Sequence, residues 1–518
     1  KRKESDCDAF DTGHSSTSIS AGLGYVRARD LKGEDYSVIS VIGDGSMTGG
    51  MAFEALNNAS QLNSNFIIVL NDNHMSISEN VGGMSRYLAK IRTADFYTGL
   101  KKGVTTTLEK IPKVGDSLIE QIRRTKSSIK QLIVPGMFFE DMGITYLGPV
   151  KGHDLPTLCR VFSEARRIEG PVLVHVLTKK GKGYTPAEEH PGKFHGISPF
   201  DVATGEVSEK KKKDTYTDVF GKVMCAEAKE NPDITAITAA MEDGTGLSRF
   251  HSMFPDRFFD VGIAEEHAVT FAAGLAAGGM RPVVAVYSSF LQRAYDQIIH
   301  DVGLQKLPVV FAVDRAGLVG SDGETHQGIF DLSFLSSIPN MTVMSPKHKW
   351  ELADMLRFAL KSDGPVAIRY PRGAAYDQYV EYRAPIEYGK SEMICEESGI
   401  ALISMGRMFE EAVKVRKNLK DAGYSCTLVN GRFVKPIDEE CIERLAKNHK
   451  LIAVLEENVI TGGYGMQVLE CAARRQLSCH VLPIALPDKY VEVLRKETGI
   501  DAQSVTEKIM ETYKELQI

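Results

Sequence analysis

The stretch from Val38 to Met75, VISVIGDGSMTGGMAFEALNNASQLNSNFIIVLNDNHM, sets the fold of this chain. Two apolar runs with a helical segment between them predict a βαβ unit, in which the two strands lie parallel. Polar residues follow each run, and open parallel sheets bind ligands at the carboxyl ends of their strands. We therefore predict a ligand site at that edge of the sheet, with Asp44 and Asn73 side by side.

The residue types at this edge suit a metal ion and a diphosphate. Asp44 and Asn73 offer hard oxygen ligands, and the carbonyl of Met75 offers a third, a set that suits Mg²⁺. Gly43 and Gly45 allow the main chain to approach a diphosphate, and the start of the following helix presents free N–H groups. Read separately, Gly-Asp-Gly and Asn-Asp-Asn are ordinary turn sequences, and that interpretation stays open for either motif.

Length and composition place the chain among large globular proteins. It has 518 residues, of which 43% are hydrophobic and 25% charged, enough for roughly three domains. The net charge of −6 argues against nucleic acid or an anionic membrane as a partner. Eight cysteines without a CxxC pair favour reduced thiols in a cytosol-like compartment, and no apolar run is long enough to span a bilayer. Because the chain begins with Lys1, we expect a processed protein or a fragment.

Alternating strand and helix patterns predict the α/β class, with three consecutive domains built on mainly parallel sheets. The predicted domains are 1–208, 214–380 and 381–518. Residues 209–213 form a lysine-rich linker, because the run is short, flanked by acidic residues and free of aromatics, unlike a nucleic-acid patch. Residues 76–136, polar and then weakly amphipathic, predict a lid over the site.

A second polar cluster, GHSSTSISAG, lies near the start of the chain and precedes a helix of small residues. Ser15, Ser16 and Thr17 are candidate N-caps of that helix. Gly13 and His14 are predicted to lie at the rim, beside the diphosphate site. The two interpretations are compatible, because the N-terminus of a helix is itself an anion site.

Glu265 lies in the segment DVGIAEEHAVTFAAG, between a strand pattern and a helix rich in small residues. A lone glutamate there is normally a favourable partner of the helix dipole. The segment nevertheless resembles the second signature of transketolase-type thiamine enzymes. The set of motifs that accompanies it spans the chain and is similar to the 1-deoxy-D-xylulose-5-phosphate synthase family in particular. These motifs are GHSSTSISAG, GDG, LNDN, MSISENVG, TKKGKGY, FHG, YSSFLQRAYDQ, DRAGLVGSDGETHQG, RYPRG and GGYG.

The resemblance implies a transketolase-like thiamine diphosphate-binding fold with a transketolase C-terminal-like domain. It implies decarboxylative condensation of pyruvate with D-glyceraldehyde 3-phosphate to 1-deoxy-D-xylulose 5-phosphate and CO₂, with thiamine diphosphate and Mg²⁺ as cofactors. The product would feed isoprenoid, thiamine and pyridoxal synthesis. The cofactor would lie between the first two domains, in a cytoplasmic homodimer, or in a plastid if the source is a plant or alga. Family members carry further sequence ahead of the point where this chain begins, so we expect a fragment of a longer enzyme or an inactive one.

The resemblance also implies roles for single residues. Asp44, Asn73 and the carbonyl of Met75 match the metal ligands. Glu265 matches the carboxylate that hydrogen-bonds N1′ of the cofactor's aminopyrimidine ring, which promotes loss of the proton from C2 of the thiazolium ring. Other cofactor-binding positions are matched by Gly13, His14, Ser15, Gly43, Gly45, Ser46, Lys180, Tyr184 and Phe290. Substrate-binding positions are matched by Tyr287, Arg293, Arg315, Asp322, His326 and Arg372. Among these, Asp322 and His326 also match catalytic positions, as does His195.

Two alternatives remain open at this stage. The first is a transketolase or a 2-oxoacid dehydrogenase component; a transketolase would move a two-carbon unit without releasing CO₂. The second is a truncated, non-catalytic protein that binds thiamine diphosphate. Release of CO₂ from pyruvate separates the synthase from a transketolase, and calorimetry with the cofactor separates a binding protein from an inert fragment.

Overall fold

The computed structural model describes residues 2, 4–75, 80–93, 137–197, 199–207, 213–320, 323–490 and 495–516. The chain divides into two compact units, residues 1–208 and 209–518. Both are built on mainly parallel sheets, which confirms the predicted α/β class. Of the predicted lid, 76–136, only residues 80–93 lie within the described part of the chain.

The first unit contains a four-stranded parallel sheet in the order β1-β2-β4-β3. The strands are β1 Ile39–Gly43, β2 Phe66–Asp72, β3 Thr145–Lys151 and β4 Pro171–Leu177. Gly43 pairs with Asn71, so the carboxyl ends of β1 and β2 meet at one edge, as the βαβ prediction requires. The helix does not follow Gly-Asp-Gly directly, because a 3₁₀ turn, Gly45–Thr48, precedes it.

Helices cover both faces of this sheet. Leu158, Val161 and Phe162 pack on one face, and Ile19 and Leu56 belong to the core on the other. The first helix lies so close to the sheet that a Cβ at Gly22 would meet Ser40 Oγ at 2.0 Å and the ring of Phe66 at 2.8 Å. The helices of this unit are Ser18–Lys32, Gly50–Ala59, Gly82–Thr93, Met137–Asp141, Leu155–Ala165 and Thr185–Glu189.

The second unit contains two sheets. The seven-stranded sheet has the order β14-β9-β10-β8-β7-β5-β6, with only β14 antiparallel to its neighbour. Its strands are β5 Ile234–Thr238, β6 Phe258–Asp260, β7 Arg281–Tyr287, β8 Val310–Asp314, β9 Thr342–Met344, β10 Val366–Arg369 and β14 Phe433–Lys435. The five-stranded sheet, β11-β13-β12-β15-β16, has β11 antiparallel at one edge. Its strands are β11 Glu392–Cys395, β12 Gly399–Ser404, β13 Cys426–Asn430, β15 His449–Val459 and β16 His480–Leu486.

Strand β14 ties the last part of the chain to the larger sheet. It comes from the segment between strands of the smaller sheet, yet Phe433 pairs with Met344 of β9. Residues 209–518 therefore form one compact unit, and a domain boundary at 380 stays a prediction. The helices of this unit are Tyr216–Glu230, Ser248–Met253, Glu265–Ala277, Ser288–Leu291, Tyr295–Gln297, Asp331–Ser336, Lys349–Ala359, Met408–Asp421, Glu439–Asn448, Tyr464–Arg474, Arg495–Thr498 and Ala502–Glu515.

The helix Glu265–Ala277 carries, at its first position, the glutamate selected from the sequence. It follows β6 and packs on β7 through alanines that are almost fully buried, since small side chains allow a helix to lie close to a sheet. Its first residue, Glu265, is thereby placed near the carboxyl ends of the strands. Among all helices in the described ranges, none is long and apolar enough to cross a membrane.

Candidate active site

The carboxyl ends of β1 and β2 bring the Gly-Asp-Gly and Asn-Asp-Asn motifs together. Asp44 follows β1, and its N–H donates to the carbonyl of Asn71 at 3.2 Å. Asn73 follows β2, and its N–H lies 3.5 Å from Asp44 Oδ1. The N–H of Met75 donates to Asn73 Oδ1 at 3.1 Å. The three residues expected to hold a metal thus lie next to one another.

Asp44 is a buried carboxylate close to a second negative charge, Asp72. It is only 3% exposed, and burial, followed by the negative charge of Asp72, raises its pKa to about 6. Asn80 Nδ2 donates to Asp44 Oδ2 at 2.8 Å. A cation at this point would offset the cost of burying the charge, and carboxylate, amide and carbonyl oxygens are suitable ligands for Mg²⁺. In the described ranges no three Asp, Glu, His or Cys side chains form a metal cluster, so a metal here depends on amide and main-chain oxygens.

A network of buried side chains lies next to this edge of the sheet, and it was not predicted from the sequence. Asp72, the last residue of β2, accepts hydrogen bonds from Arg92 Nη1 at 2.7 Å and from His175 Nε2 at 2.8 Å. His175 Nδ1 in turn lies 2.7 Å from the hydroxyl of Tyr146. Burial raises the pKa of Asp72, but the bonds from His175 and Arg92 outweigh it and hold that pKa well below its usual range. Asp72 is therefore a fixed negative charge beneath Asp44 and Asn73.

We expect Arg92→Met to destabilise the first unit. The change leaves Asp72, which is fully buried, without its permanent cation, and removing one partner of a buried ion pair costs about 3–5 kcal/mol. Denaturant unfolding followed by circular dichroism measures the loss. Glu206→Gln is the control in the same unit, because it breaks an exposed pair with Lys193 worth less than about 1 kcal/mol. Equal effects of the two changes would contradict a structural role for Arg92.

The GHSS segment is hydrogen-bonded to the 3₁₀ turn that follows β1. Of the three candidates, Thr17 occupies the N-cap position of the first helix, but its side chain makes no cap hydrogen bond. Ser16 instead donates from Oγ to the carbonyl of Ser46 at 2.7 Å. Gly13 and His14 line a cavity of about 510 Å³ with Met51, whereas Asn73 and Met75 line another of about 820 Å³. The position of Gly13 and His14 beside the diphosphate site stays a prediction.

Lys180 and His195 lie together in the first unit. Lys180 Nζ is 2.9 Å from His195 Nδ1. Desolvation lowers the pKa of Lys180, while the charge of Asp44 raises it. The hydroxyl of Tyr184 donates to the carbonyl of Val202 at 2.9 Å, and its ring packs on Phe194. The contacts seen for Tyr184 are thus structural ones within its own segment.

We expect the imidazole of His195 to titrate below its usual range. Desolvation and, second, the positive charge of Lys180 lower the pKa of His195, so the ring is neutral at pH 7. A pH titration by ¹H–¹⁵N NMR of selectively labelled protein measures this value. Lys180→Met should move it back towards 6.5, the usual value for histidine, and an unchanged titration would show that the two groups are not in contact in solution.

Glu265 is the corresponding buried carboxylate of the second unit. It is 2% exposed, and burial raises its pKa while Arg293 lowers it. Arg293 Nη1 lies 3.6 Å from Glu265 Oε2, too far for a hydrogen bond. Within the part of the chain that the structure describes, this oxygen has no hydrogen-bond partner. A buried polar atom without a partner is costly, and in native proteins it commonly marks a functional site.

Aromatic and basic residues cluster in the same unit, around the end of β7. The rings of Tyr287 and Phe290 are 5.6 Å apart between centroids, and Phe290 lies 5.5 Å from the ring of His326. Arg315 Cζ stacks over Tyr287 at 3.8 Å from the centroid. The structure therefore brings together four of the residues that the sequence analysis selected. Arg372 is near enough to act on the charge of Asp314, which neighbours Arg315, and Asp322 lies outside the described residues.

The first unit carries a strand edge at which Asp44, Asn73 and Met75 meet, and the second unit carries a buried glutamate, Glu265. Both features are those expected of a transketolase-like thiamine diphosphate enzyme. Sequence models agree: the transketolase pyrimidine-binding domain matches residues 212–377, the transketolase C-terminal domain matches 389–505, and the 1-deoxy-D-xylulose-5-phosphate synthase model matches 1–178. The chain belongs to the 1-deoxy-D-xylulose-5-phosphate synthase family, a family of transketolase-class transferases that depend on thiamine diphosphate.

Individual relatives agree with this assignment. The synthase of Lachnoclostridium phytofermentans is 56% identical over 98% of this chain and 82% of its own length. The synthase of Caldanaerobacter subterraneus subsp. tengcongensis is 52% identical over 100% of this chain and 84% of its own length. Among solved structures, a split-gene transketolase described as an inactive β4 tetramer is 27% identical and covers 58% of this chain and 99% of its own, with a TM-score of 0.54. Transketolase from Campylobacter jejuni shares the fold, with a TM-score of 0.51 at 17% identity over 96% of this chain and 82% of its own.

Proposed function

We propose that this chain catalyses the condensation of pyruvate with D-glyceraldehyde 3-phosphate to 1-deoxy-D-xylulose 5-phosphate and CO₂, with thiamine diphosphate and Mg²⁺. The observation that carries the proposal is Glu265, a buried carboxylate whose Oε2 has no hydrogen-bond partner among the described residues. Its raised pKa suits a group that hydrogen-bonds a nitrogen heterocycle and exchanges a proton with it. Phe290 and Tyr287, whose rings lie 5.6 Å apart between centroids in the same unit, would supply flat apolar surfaces for the cofactor ring.

The first unit offers a matching place for the other end of the cofactor. Asp44, Asn73 and the carbonyl of Met75 would bind Mg²⁺, which would take the remaining ligands from diphosphate oxygens and water. Lys180 would bind the diphosphate by its charge. The main chain of the glycine-rich turns is suited to close approach, and the remaining proposed contacts are Gly13, His14, Ser15, Gly43, Gly45, Ser46 and Tyr184.

Thiamine diphosphate, when bound, supplies an acidic carbon that adds to a keto group and an electron sink for the pair released with CO₂. The protein supplies the rest. Glu265 would accept a hydrogen bond from the aminopyrimidine ring and so favour the tautomer that promotes loss of the thiazolium C2 proton. His195 and His326, whose type of side chain titrates near neutral pH, would transfer protons to and from the substrate oxygens, with Asp322 holding a hydroxyl.

Binding of the acceptor aldehyde would rest on positive charge in the second unit. Arg315 stacks on Tyr287, and a guanidinium held in this way can bind phosphate with two parallel hydrogen bonds. Arg293 and Arg372 would complete the site.

The experiment is incubation of the full-length gene product with [1-¹⁴C]pyruvate, D-glyceraldehyde 3-phosphate, thiamine diphosphate and Mg²⁺. We expect labelled CO₂ and a ketose phosphate identifiable by NMR. Transfer from a ketose phosphate without CO₂ would instead assign a transketolase. Cofactor binding in calorimetry without any turnover would assign a non-catalytic binding protein.

The proposal extends to assembly and location. We propose a cytoplasmic homodimer that acts on small molecules and binds neither nucleic acid nor membranes. The net charge of −6 supports the second point, since it gives no bulk attraction for polyanions. Light scattering coupled to gel filtration tests the dimer, and a monomer mass at micromolar concentration would remove that part of the proposal.

A further inference from the structure

Asp314 is a buried carboxylate to which neither the motifs nor the proposed function assigns a role. It ends β8 and pairs with Tyr287 on the neighbouring strand β7. Thr217 Oγ1 donates to Asp314 Oδ2 at 2.8 Å, and the N–H of Arg315 donates to Asp314 Oδ1 at 2.6 Å. Burial raises the pKa of Asp314 to about 7, against the Thr217 hydrogen bond and the charges of Arg315 and Arg372. Burying a carboxylate is energetically costly. Its presence at a strand end, next to Arg315, therefore indicates a function.

The main chain of Arg315 is held in an unusual conformation at this point. Its φ is 58°, in the left-handed region that non-glycine residues seldom adopt. The next N–H, that of Ala316, donates to the carbonyl of Tyr370 at 3.0 Å. On the other side, a Cβ at Gly328 would lie 2.4 Å from the carbonyl oxygen of Arg315. Strained residues persist where the surroundings fix them, and they cluster at functional sites.

The direction of the Arg315 side chain follows from this main-chain conformation. Its guanidinium lies over the ring of Tyr287, 3.8 Å from the centroid. That ring is itself fixed, because a Cβ at Gly244 would lie 1.8 Å from the Tyr287 hydroxyl. Stacking uses the face of the guanidinium and turns its N–H groups outward in one plane, the geometry that suits a phosphate.

We infer that Asp314 is a positioning residue, which locks the main chain of Arg315 through Thr217 so that the guanidinium on Tyr287 receives the phosphate of the acceptor. The inference rests on the proposed function and deepens it, since it names the groups that make the acceptor site selective for phosphorylated aldehydes. Thr217 lies in the first turn of the helix Tyr216–Glu230. A shift of that helix would therefore move the Thr217 hydroxyl and the Asp314 carboxylate bonded to it, and with them the Arg315 guanidinium that binds the substrate.

The test compares two acceptors, D-glyceraldehyde 3-phosphate and unphosphorylated D-glyceraldehyde. In Asp314→Ala we expect KM for the phosphorylated acceptor to rise at least about tenfold, the equivalent of one good buried hydrogen bond. KM for D-glyceraldehyde should change less than about twofold, and kcat should change little. Asp314→Asn should restore the phosphate KM to within about threefold, because its amide keeps an oxygen for the Arg315 N–H and an N–H for Thr217.

Thr217→Val provides a second variant in case Asp314→Ala does not fold. It removes only the hydroxyl, and the same selective rise in KM is expected, about threefold to tenfold. Thr235→Val is the matched control, because Thr235 is also buried in this unit but its Oγ1 has no partner in the described structure. This variant should keep the wild-type ratio of the two KM values.

The outcomes separate this inference from the proposed function. An equal rise in KM for both acceptors, or an unchanged phosphate KM in both Asp314→Ala and Thr217→Val, would overturn the positioning role while leaving the reaction in place. If the wild-type enzyme releases no CO₂ from pyruvate with either acceptor, the proposed function fails and the positioning role fails with it.

Discussion

Glu265→Gln is expected to lower kcat by about 10²–10⁴-fold, the range that a positioned acid or base contributes. The amide keeps the size of the side chain and its place at the start of the helix Glu265–Ala277. It cannot bear the charge that stabilises the tautomer from which a proton is lost. Because the proposed metal and diphosphate contacts are made by other residues, calorimetry should show cofactor affinity reduced less than about tenfold.

The matched control is Glu266→Gln. Glu266 is the next residue in the same first helical turn, so the change has the same effect on the helix dipole. We expect its kcat to stay within about twofold of the wild type. Similar losses in the two variants would assign the effect to the helix terminus and would remove the catalytic role of Glu265.

Asp44→Ala is expected to act on binding rather than on turnover. Loss of a supporting side chain around a metal costs 10–100-fold in affinity, so loss of a direct ligand should lower the Mg²⁺-dependent affinity for thiamine diphosphate by at least about 100-fold. Isothermal calorimetry with and without Mg²⁺ measures the difference. Asp35→Ala, at an exposed position just before β1, is the control and should bind like the wild type.

The same variant carries an opposite expectation for stability. The pKa of Asp44 is raised from 3.8 to about 6, so ionising this group costs stability as pH rises above the unfolded value, and the full cost is present above about pH 6. Metal-free Asp44→Ala should therefore be no less stable than the metal-free wild type at pH 7. A clear fall in its thermal midpoint, with cofactor binding intact, would make Asp44 a structural residue and not a ligand.

The sequence predicted the parts of the site that depend on local order. Strand patterns ending in Gly-Asp-Gly and Asn-Asp-Asn placed Asp44 beside Asn73, because parallel strands joined by one helix present their carboxyl ends at the same edge. The position of Glu265 at the start of a helix followed from a strand pattern and a run of small residues. Motifs spanning the chain identified the family, which the comparisons confirmed.

Residues whose partners are far away in the sequence were not predicted. Asp72 meets His175, which is 103 residues further along the chain, and nothing near either residue indicates the other. A signal was nevertheless present, since His175 is a lone histidine inside a fully apolar strand. Asp314 was overlooked for a similar reason, because its partner Thr217 is 97 residues away.

By itself, the sequence determined the α/β class, the edge that holds Asp44 and Asn73, and the family. The first two follow from periodicity and spacing along the chain, which the geometry of strands and helices converts directly into position, and the family follows from the resemblance of its motifs to known members. Only the tertiary structure decided which carboxylates are buried, which cations offset them and which backbone conformation aims Arg315. Those properties arise from desolvation and from contacts between residues far apart in sequence, and both come into existence only when the sheets and helices pack.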